Sequence, residues 1–455
     1  MWSGAGRTRQ IRRIGLTTKS DRVVPVAIVG GGASGTILAA QLARRGVASV
    51  LIDGSGRAGR GVAYSTTEPA HLLNVRAEGM SAWAGEPGHF AERFQAEGGE
   101  PRGFAQRRLF GQYLGEILDE AVASGRTSVA HASAIDAQRV NGKWRIELDD
   151  GSLIEAQAVA LAIGNQEPEG LRAFRGAGRR YVANPWGDDA RAAVCDLAAN
   201  GGNALLVGTG LTMVDLVLSL DAAGFRGNIV ALSRRGLIPR AHADFEPAPV
   251  EREQVPGGLR AMWRWLRKRS AEVGWRAAID GLRPHSQSLW QSLDHEEQQR
   301  FLRHGRPWWD VHRHRIAPEV AATVARLVAE GRLQIVAGRI LSTADQRDGL
   351  LVELRRRGAD ASRQMTFAYA LNCTGPLHSI GRTRDPLLRS LLGHGSVASD
   401  RLGIGLDVDE NSRAGERIWA LGPLTKGRFW EIIAVPDIRE QAAAVAEDIA
   451  AELNA

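Results

Sequence analysis

Two stretches of this chain place glycines in almost the same pattern, each straight after a short apolar run. The first, PVAIVGGGASG, sets Gly30, Gly32 and Gly35 in a GxGxxG spacing, with Ser34 inside it. The second, LLVGTGLTMVD, repeats Gly208 and Gly210, continues through Thr212, and puts Met213 where a third glycine is expected. Helical apolar spacing follows both turns, and a second strand-like run closes each unit, GVASVLID ending at Asp53 and GNIVALSRRG passing Ser233. In such a strand–turn–helix–strand unit the first glycine permits the tight turn. The second lets the backbone approach a pyrophosphate, the third lets helix and strand pack closely, and the helix N-terminus attracts phosphate charge. The expected fold is therefore α/β, with two Rossmann-like dinucleotide-binding domains. Met213 removes the packing glycine, so the second helix is expected slightly further from its strand, with the phosphate cradle intact.

The ends of the second strands differ. Asp53 is placed to accept hydrogen bonds from a ribose, which suits FAD. The second unit has no acid there and presents Arg234 and Arg235, a charge match for a 2′-phosphate. NADPH is thus favoured over NADH, the alternative being that these arginines face solvent. Two different dinucleotides in one chain read as an electron-transfer pair, FAD with NAD(P)H as co-substrate. The expected division is a flexible leader over 1–22, an FAD-binding domain over 23–185 and 366–455, and an NAD(P)H-binding domain over 200–365. A helical insertion rich in tryptophan and arginine is expected over about 257–318.

Composition narrows the rest. A chain of 455 residues, 44% hydrophobic and 24% charged, is ordinary for a globular protein. No apolar run reaches the length of a membrane span, and the twin arginines of TRQIRRIGLTTKS are followed by polar residues instead of a signal-peptide core, so a cytoplasmic location is expected. The net charge of +7 invites a nucleic-acid reading, but the arginines are scattered among acids, and solvated faces explain them better. Cys195 and Cys373 are the only cysteines, far apart and in no CxxC pairing, which argues against a thiol–disulfide centre and a cysteine-based zinc site. No metal site is expected.

Beyond the fingerprints, LAIGN with Gly164, LNCTG with Gly375 and WALGPL with Gly422 look like the crossover and late glycine motifs of two-dinucleotide-binding-domain flavoproteins, in which an NAD(P)H domain is inserted within the FAD domain. Within that group, GRGVAYST, HLLNV, GTGLTMVD, RPWWDVHRHR and PDIREQA together resemble a bacterial family of FAD/NAD(P)-binding monooxygenases that includes urate hydroxylases and aspartate N-hydroxylating enzymes. Related flavin monooxygenases carry a linker of the form FxGxxxHxxxW. Here Phe174 and Gly176 match, Arg180 or Tyr181 replaces the histidine, and Pro185 and Trp186 lie just beyond the end, which departs from Baeyer–Villiger enzymes.

The resemblance implies that NAD(P)H reduces a flavin that then uses O2 to hydroxylate a small polar substrate, urate being the specific expectation. N-hydroxylation of an amino acid such as aspartate is the alternative. Rival readings are a flavin reductase without oxygen transfer, and a dinucleotide-binding regulator or tRNA-modifying flavoprotein. Asn74 in HLLNV is a candidate for holding the flavin or the reacting oxygen, or else an ordinary turn asparagine. In RPWWDVHRHR, Trp308 and Trp309 could stack on a flat ring while Asp310, His312 and Arg313 supply donors and charge. The competing reading is a cap whose aromatics pack inward and whose arginines pair with acids. A final helix is expected to begin near Pro436, its N-terminus facing the flavin.

Overall fold

The computed structural model describes residues 23–454, so the leader expected over 1–22 lies outside the described residues. Two sheets organise the chain. The first contains β1 (Val24–Val29), β2 (Ser49–Ile52), β3 (Thr127–Ala130), β4 (Ala134–Val140), β5 (Lys143–Leu148) and β6 (Leu153–Leu161), joined late by β14 (Arg413–Gly415) and β15 (Ile418–Ala420). Its order is β14-β15-β6-β1-β2-β3, with β4 and β5 forming an antiparallel flap on β6. The second sheet contains β7 (Tyr181–Val182), β8 (Ala204–Val207), β9 (Ile229–Ser233), β10 (Leu333–Gln346), β11 (Gly349–Arg356), β12 (Arg363–Phe367) and β13 (Tyr369–Asn372), in the order β12-β11-β10-β9-β8-β13-β7. Both are Rossmann-type α/β arrangements. β7 and β13 pair with the second sheet through β8, although both fall in ranges read from sequence as flavin domain.

The central strands are apolar without interruption because both of their faces are covered. In β1, Val26 and Ile28 enter one core cluster while Ala27 and Val29 enter the cluster across the sheet. In β8, Ala204 and Leu206 face one way and Leu205 and Val207 the other. Helices Leu259–Val273, Trp275–Gly281, Ser286–Gln291, His295–Arg300 and Arg306–Arg313 form the cap, with a separate apolar core that includes Leu266, Trp290 and Trp309.

The glycine turns are held by backbone contact. Gly30 has φ +105°, and a Cβ there would stand 2.5 Å from the Ala162 carbonyl oxygen just past β6. A Cβ on Gly35 would overlap the Gly30 carbonyl, so the first helix can sit on its strand only with glycine at that point. Gly208 repeats the first contact with φ +120° against the Cys373 carbonyl. Met213, at the position equivalent to Gly35, is fully buried in the cluster containing Leu206, Leu371 and Cys373, so apolar packing takes the place of backbone contact.

The two sheets' units meet through a buried ion pair. Arg107 Nη2, from helix Arg107–Ala123, donates to Asp215 Oδ1 at 2.9 Å, with side-chain exposures of 16% and 7%. Arg107 Nε also donates to the Leu72 carbonyl, and His71 Nε2 lies 3.0 Å from both the Asp215 carbonyl and Ser219 Oγ. Asp215 belongs to the helix opened by the second fingerprint, so this pair ties the two nucleotide units together. Asp215→Asn leaves a buried guanidinium without its charge partner, and should lower stability by about 3 kcal/mol, read as a fall in the thermal unfolding midpoint.

Candidate functional site: two nucleotide crevices and a capped polar cleft

The first crevice is assembled around a strut. Asp53 Oδ2 accepts the Gly31 amide at 2.8 Å, and Oδ1 accepts the Ser55 amide at 2.8 Å and its hydroxyl at 2.5 Å. The acid read as a ribose acceptor therefore also braces the glycine turn. The Gly59 amide donates to the Gly31 carbonyl, so the loop carrying GRAGRG folds over the turn. Gly32 keeps an open side, its nearest neighbour being the Gly61 Cα at 3.8 Å from a built Cβ. This open backbone at a helix N-terminus is a cradle fitted to pyrophosphate. Ser34 is buried beside Gly422, whose φ is +63° and whose Cβ would stand 2.8 Å from the Ser34 hydroxyl. The Gly422 amide donates to Gln441 Oε1 at 2.8 Å, joining the late glycine turn to the final helix, Val435–Asn454. Gly164, φ +77°, has open space around it at the crossover.

The second crevice repeats this layout. Gly210 is open, Thr212 follows in the first turn of helix Leu211–Ala222, and Gly375, φ +92°, is open at the second crossover. Ser233 Oγ accepts the Gly236 amide at 2.9 Å and lies 2.9 Å from Thr209 Oγ1, shaping the turn that presents Arg234 and Arg235. Arg234 is exposed and Arg235 half-buried. Next to them is a cationic group that sequence reasoning missed. Burial, then Arg306, hold the Lys426 ammonium down to about 8, with Asp400 opposing. Burial and the neighbouring Arg306, Lys426 and Arg234 push His378 down to about 4, so it is neutral at physiological pH. A half-buried cluster of like charges is suited to an anion. The glycines and cations thus fit both dinucleotides; Gly32, Ser34 and Asp53 would hold FAD, and Gly210, Arg234 and Lys426 would hold NAD(P)H.

Beneath the cap lies a polar cleft of about 500 Å3 lined by Arg283, Glu431, Asp437 and Gln441 among others. Glu431 is buried with φ +70°, a conformation rare for a residue with a Cβ. Its carboxylate accepts Trp309 Nε1–H on one oxygen and Arg313 Nε on the other, the latter at 3.1 Å. Asp310 faces Arg306 Nε at 3.2 Å, and His314 stands 3.9 Å from Asp310 and 4.0 Å from Glu431. Burial holds the His314 pKa down despite those acids. Asp437, at the start of the final helix, is pushed up by burial, and its Oδ2 is buried without a partner.

The sequence candidates are thus distributed unevenly. Arg313 is brought directly onto Glu431, and Asp310 lies one step away through Arg306 and His314. His312 turns elsewhere, Nδ1 at 2.7 Å from the Trp308 carbonyl and its ring edge-on to Trp275. Trp308 is 44% exposed, whereas Trp309 packs inward. The Asn74 carbonyl accepts from His242 Nε2 at 3.0 Å. Burial holds His242 down to about 4, so it is neutral and carries its proton on Nε2. Glu431, Arg283 and Lys426 had no motif to betray them, while Asp437 lies inside PDIREQA, where an acid in a first helical turn was visible. Among the described residues no helix is long and apolar enough to cross a membrane, and no cluster has the ligands for a metal.

Residues 27–166 match a family model described as FAD-NAD(P)-binding. No curated protein matches the chain in sequence. Among solved structures, the chain is similar to L-lysine 6-monooxygenase from Pseudomonas syringae, with TM-score 0.66 and 17% identity over 94% of this chain and 99% of that one. It is similar to an ornithine N-hydroxylase from Kutzneria sp. 744 in complex with reduced FAD, NADP+ and L-ornithine, with TM-score 0.63 and 14% identity over 95% and 100%. A thioredoxin reductase from T. acidophilum shares TM-score 0.52 and 14% identity over 94% and 99%. The fold is that of Rossmann-type flavin monooxygenases and thioredoxin reductase, and the segment around the first glycine turn matches an FAD-NAD(P)-binding model. At these identities the likeness to the individual enzymes is one of fold.

Were Lys426 to hold the dinucleotide, its titration would make the affinity pH-dependent. Its ammonium is present below about 8 and is lost as pH rises through that value. NADPH binding should therefore weaken by roughly five- to tenfold between pH 7 and pH 9, the scale of one charge-assisted contact. Titrating NADPH into the FAD-loaded protein checks this, and Lys426→Met should flatten the profile.

Proposed function

We propose that the chain is an FAD- and NAD(P)H-dependent monooxygenase that hydroxylates a small nitrogen-containing molecule with O2. The observation that carries this reading is a convergence on residues 422–437. Gly422 meets the first crevice at Ser34, Lys426 shares its surroundings with Arg306 and His378 beside the second, and Glu431 receives the cap through Trp309 and Arg313. One segment therefore touches the flavin seat, the reductant seat and the polar cleft.

Bound FAD would supply electron acceptance from the nicotinamide and activation of O2. The chain's residues bind the substrate and handle protons. The cap borders the cleft through Arg283, Ser286 and Gln287. We assign to Asp437, which lines the cleft and whose carboxyl is pushed up by burial, the task of taking a proton from a bound ammonium, leaving the nitrogen lone pair free to react. N-hydroxylation of an amine or amino acid is accordingly preferred to hydroxylation of urate. Two of the similar folds are lysine and ornithine hydroxylating enzymes, and nothing in the cleft is particular to a purine. A disulfide reductase is disfavoured, because Cys195 is exposed while Cys373 is buried, its thiol pushed up by burial and by Asp215.

The FAD-loaded protein, supplied with NADPH and O2, should consume NADPH faster with one member of a panel of amines, amino acids and urate, and yield a hydroxylated product. Stoichiometric peroxide or a reduced acceptor with no hydroxylated product would sink the monooxygenase reading. Replacing Arg234 and Arg235 together by alanine should raise the KM for NADPH about tenfold and leave NADH nearly unchanged, the magnitude expected for lost contacts to a 2′-phosphate. Equal effects on both nucleotides would remove that role from the arginines.

A further inference from the structure

The cap contains a second cavity that neither nucleotide explains. It is lined by Trp263, Trp290, Trp309 and Trp430 together with leucines, Met262 and Phe301, and Ser286 contributes its only hydroxyl. Tryptophan is the costliest side chain to leave beside an unfilled apolar space, because its large faces lose contacts on one side. Two of the four have their indole N–H groups tied down away from the cavity. Trp290 Nε1 donates to the Gly427 carbonyl at 2.9 Å, and Trp309 Nε1 donates to Glu431. Trp290 also stacks on Trp430, with ring centroids 4.8 Å apart.

The cavity is continuous in its lining with the polar cleft, since Ser286 and Trp430 border both. At that junction Trp430 Nε1 is buried with no hydrogen-bond partner. On the cleft side Asp437 Oδ2 is also buried and unpartnered, and Arg283 borders the same space. Apolar cavity and charged cleft thus adjoin along Ser286 and Trp430, with the Asp437 carboxyl and the Arg283 guanidinium on the cleft side only.

We infer that the substrate is amphipathic: its nitrogen-bearing polar end lies in the cleft at Asp437 and Arg283, and an apolar substituent passes Trp430 into the tryptophan-lined cavity. This rests on the monooxygenase reading for what happens to the nitrogen, but not for the binding. The size of the cavity sets the size of the substituent. Its volume is about 80 Å3. At roughly 10–15 Å3 per water-sized body that admits about six non-hydrogen atoms, a short aliphatic chain or one small ring. Aspartate has no apolar substituent to fill that space, and urate presents polar edges on every side. The inference therefore separates this site from both substrates that the sequence motifs suggested.

The test is a binding series of linear primary amines, from ethylamine to octylamine, titrated calorimetrically into the FAD-loaded full chain without NAD(P)H. The Kd should fall about fourfold per added methylene, the equivalent of about 0.8 kcal/mol each, and level off near six carbons. Met262→Trp, which fills the cavity from its half-buried edge, should flatten that gradient with FAD content unchanged. A Kd indifferent to chain length in the unaltered protein overturns the inference. So does an unchanged gradient in Met262→Trp, and if that variant fails to retain FAD the unaltered series decides alone. Because binding is read without turnover, a clear gradient with no hydroxylated product would remove the monooxygenase reading and keep the subsite. Hydroxylation that ignores chain length would do the reverse.

Discussion

The structure depends on a contact made twice between a glycine and the carbonyl that follows a neighbouring strand. Gly30 lies against Ala162, and Gly208 against Cys373, each in a backbone conformation that a side chain would strain and at a separation that a Cβ would close. The contact sets the glycine turn beside the crossover segment, where Gly164 and Gly375 open the backbone again. Each crevice is thus built from main-chain groups at the carboxyl ends of parallel strands, where a helix N-terminus also points. Side chains brace these crevices, as Asp53 does for the Gly31 amide, more than they form them.

The two crevices and the cleft are brought together on the return of the chain to the first sheet. After β15 the backbone turns at Gly422, passes Lys426 and Glu431, and enters the final helix at Val435. Within that passage the chain meets the first glycine unit, the cationic group beside the second, and the underside of the cap. Glu431 adopts its unfavourable conformation because Trp309, Arg313 and a buried setting over-determine it. The cap brings its own apolar core, to which Leu402 and Trp430 from the returning chain add.

Much of this was legible in the residues. The two fingerprints and the difference between Asp53 and the Arg234–Arg235 pair are local patterns, and local patterns survive reading from one sequence. RPWWDVHRHR illustrates where that reading stops. Its first eight residues form one short helix, yet Arg313 turns to Glu431 while His312 turns to Trp275, and neither direction follows from composition. Glu431 and Lys426 look like ordinary residues among aromatics and glycines. Their importance comes from neighbours distant in sequence, Trp309 and Arg313 for Glu431 and Arg306 for Lys426.

The sequence by itself determined the α/β class, the two dinucleotide units and the chemical difference between them, because glycine spacing, strand patterning and a terminal charge are encoded within some thirty consecutive residues. Only the tertiary structure decided what stands between those units. The Arg107–Asp215 pair, the Glu431 cluster, the unpartnered atoms of Trp430 and Asp437, and the cavity beyond them each require segments distant in sequence to be packed together. Burial is what gives those groups their altered charge and unmet hydrogen-bonding capacity, and burial is a property of the packed chain.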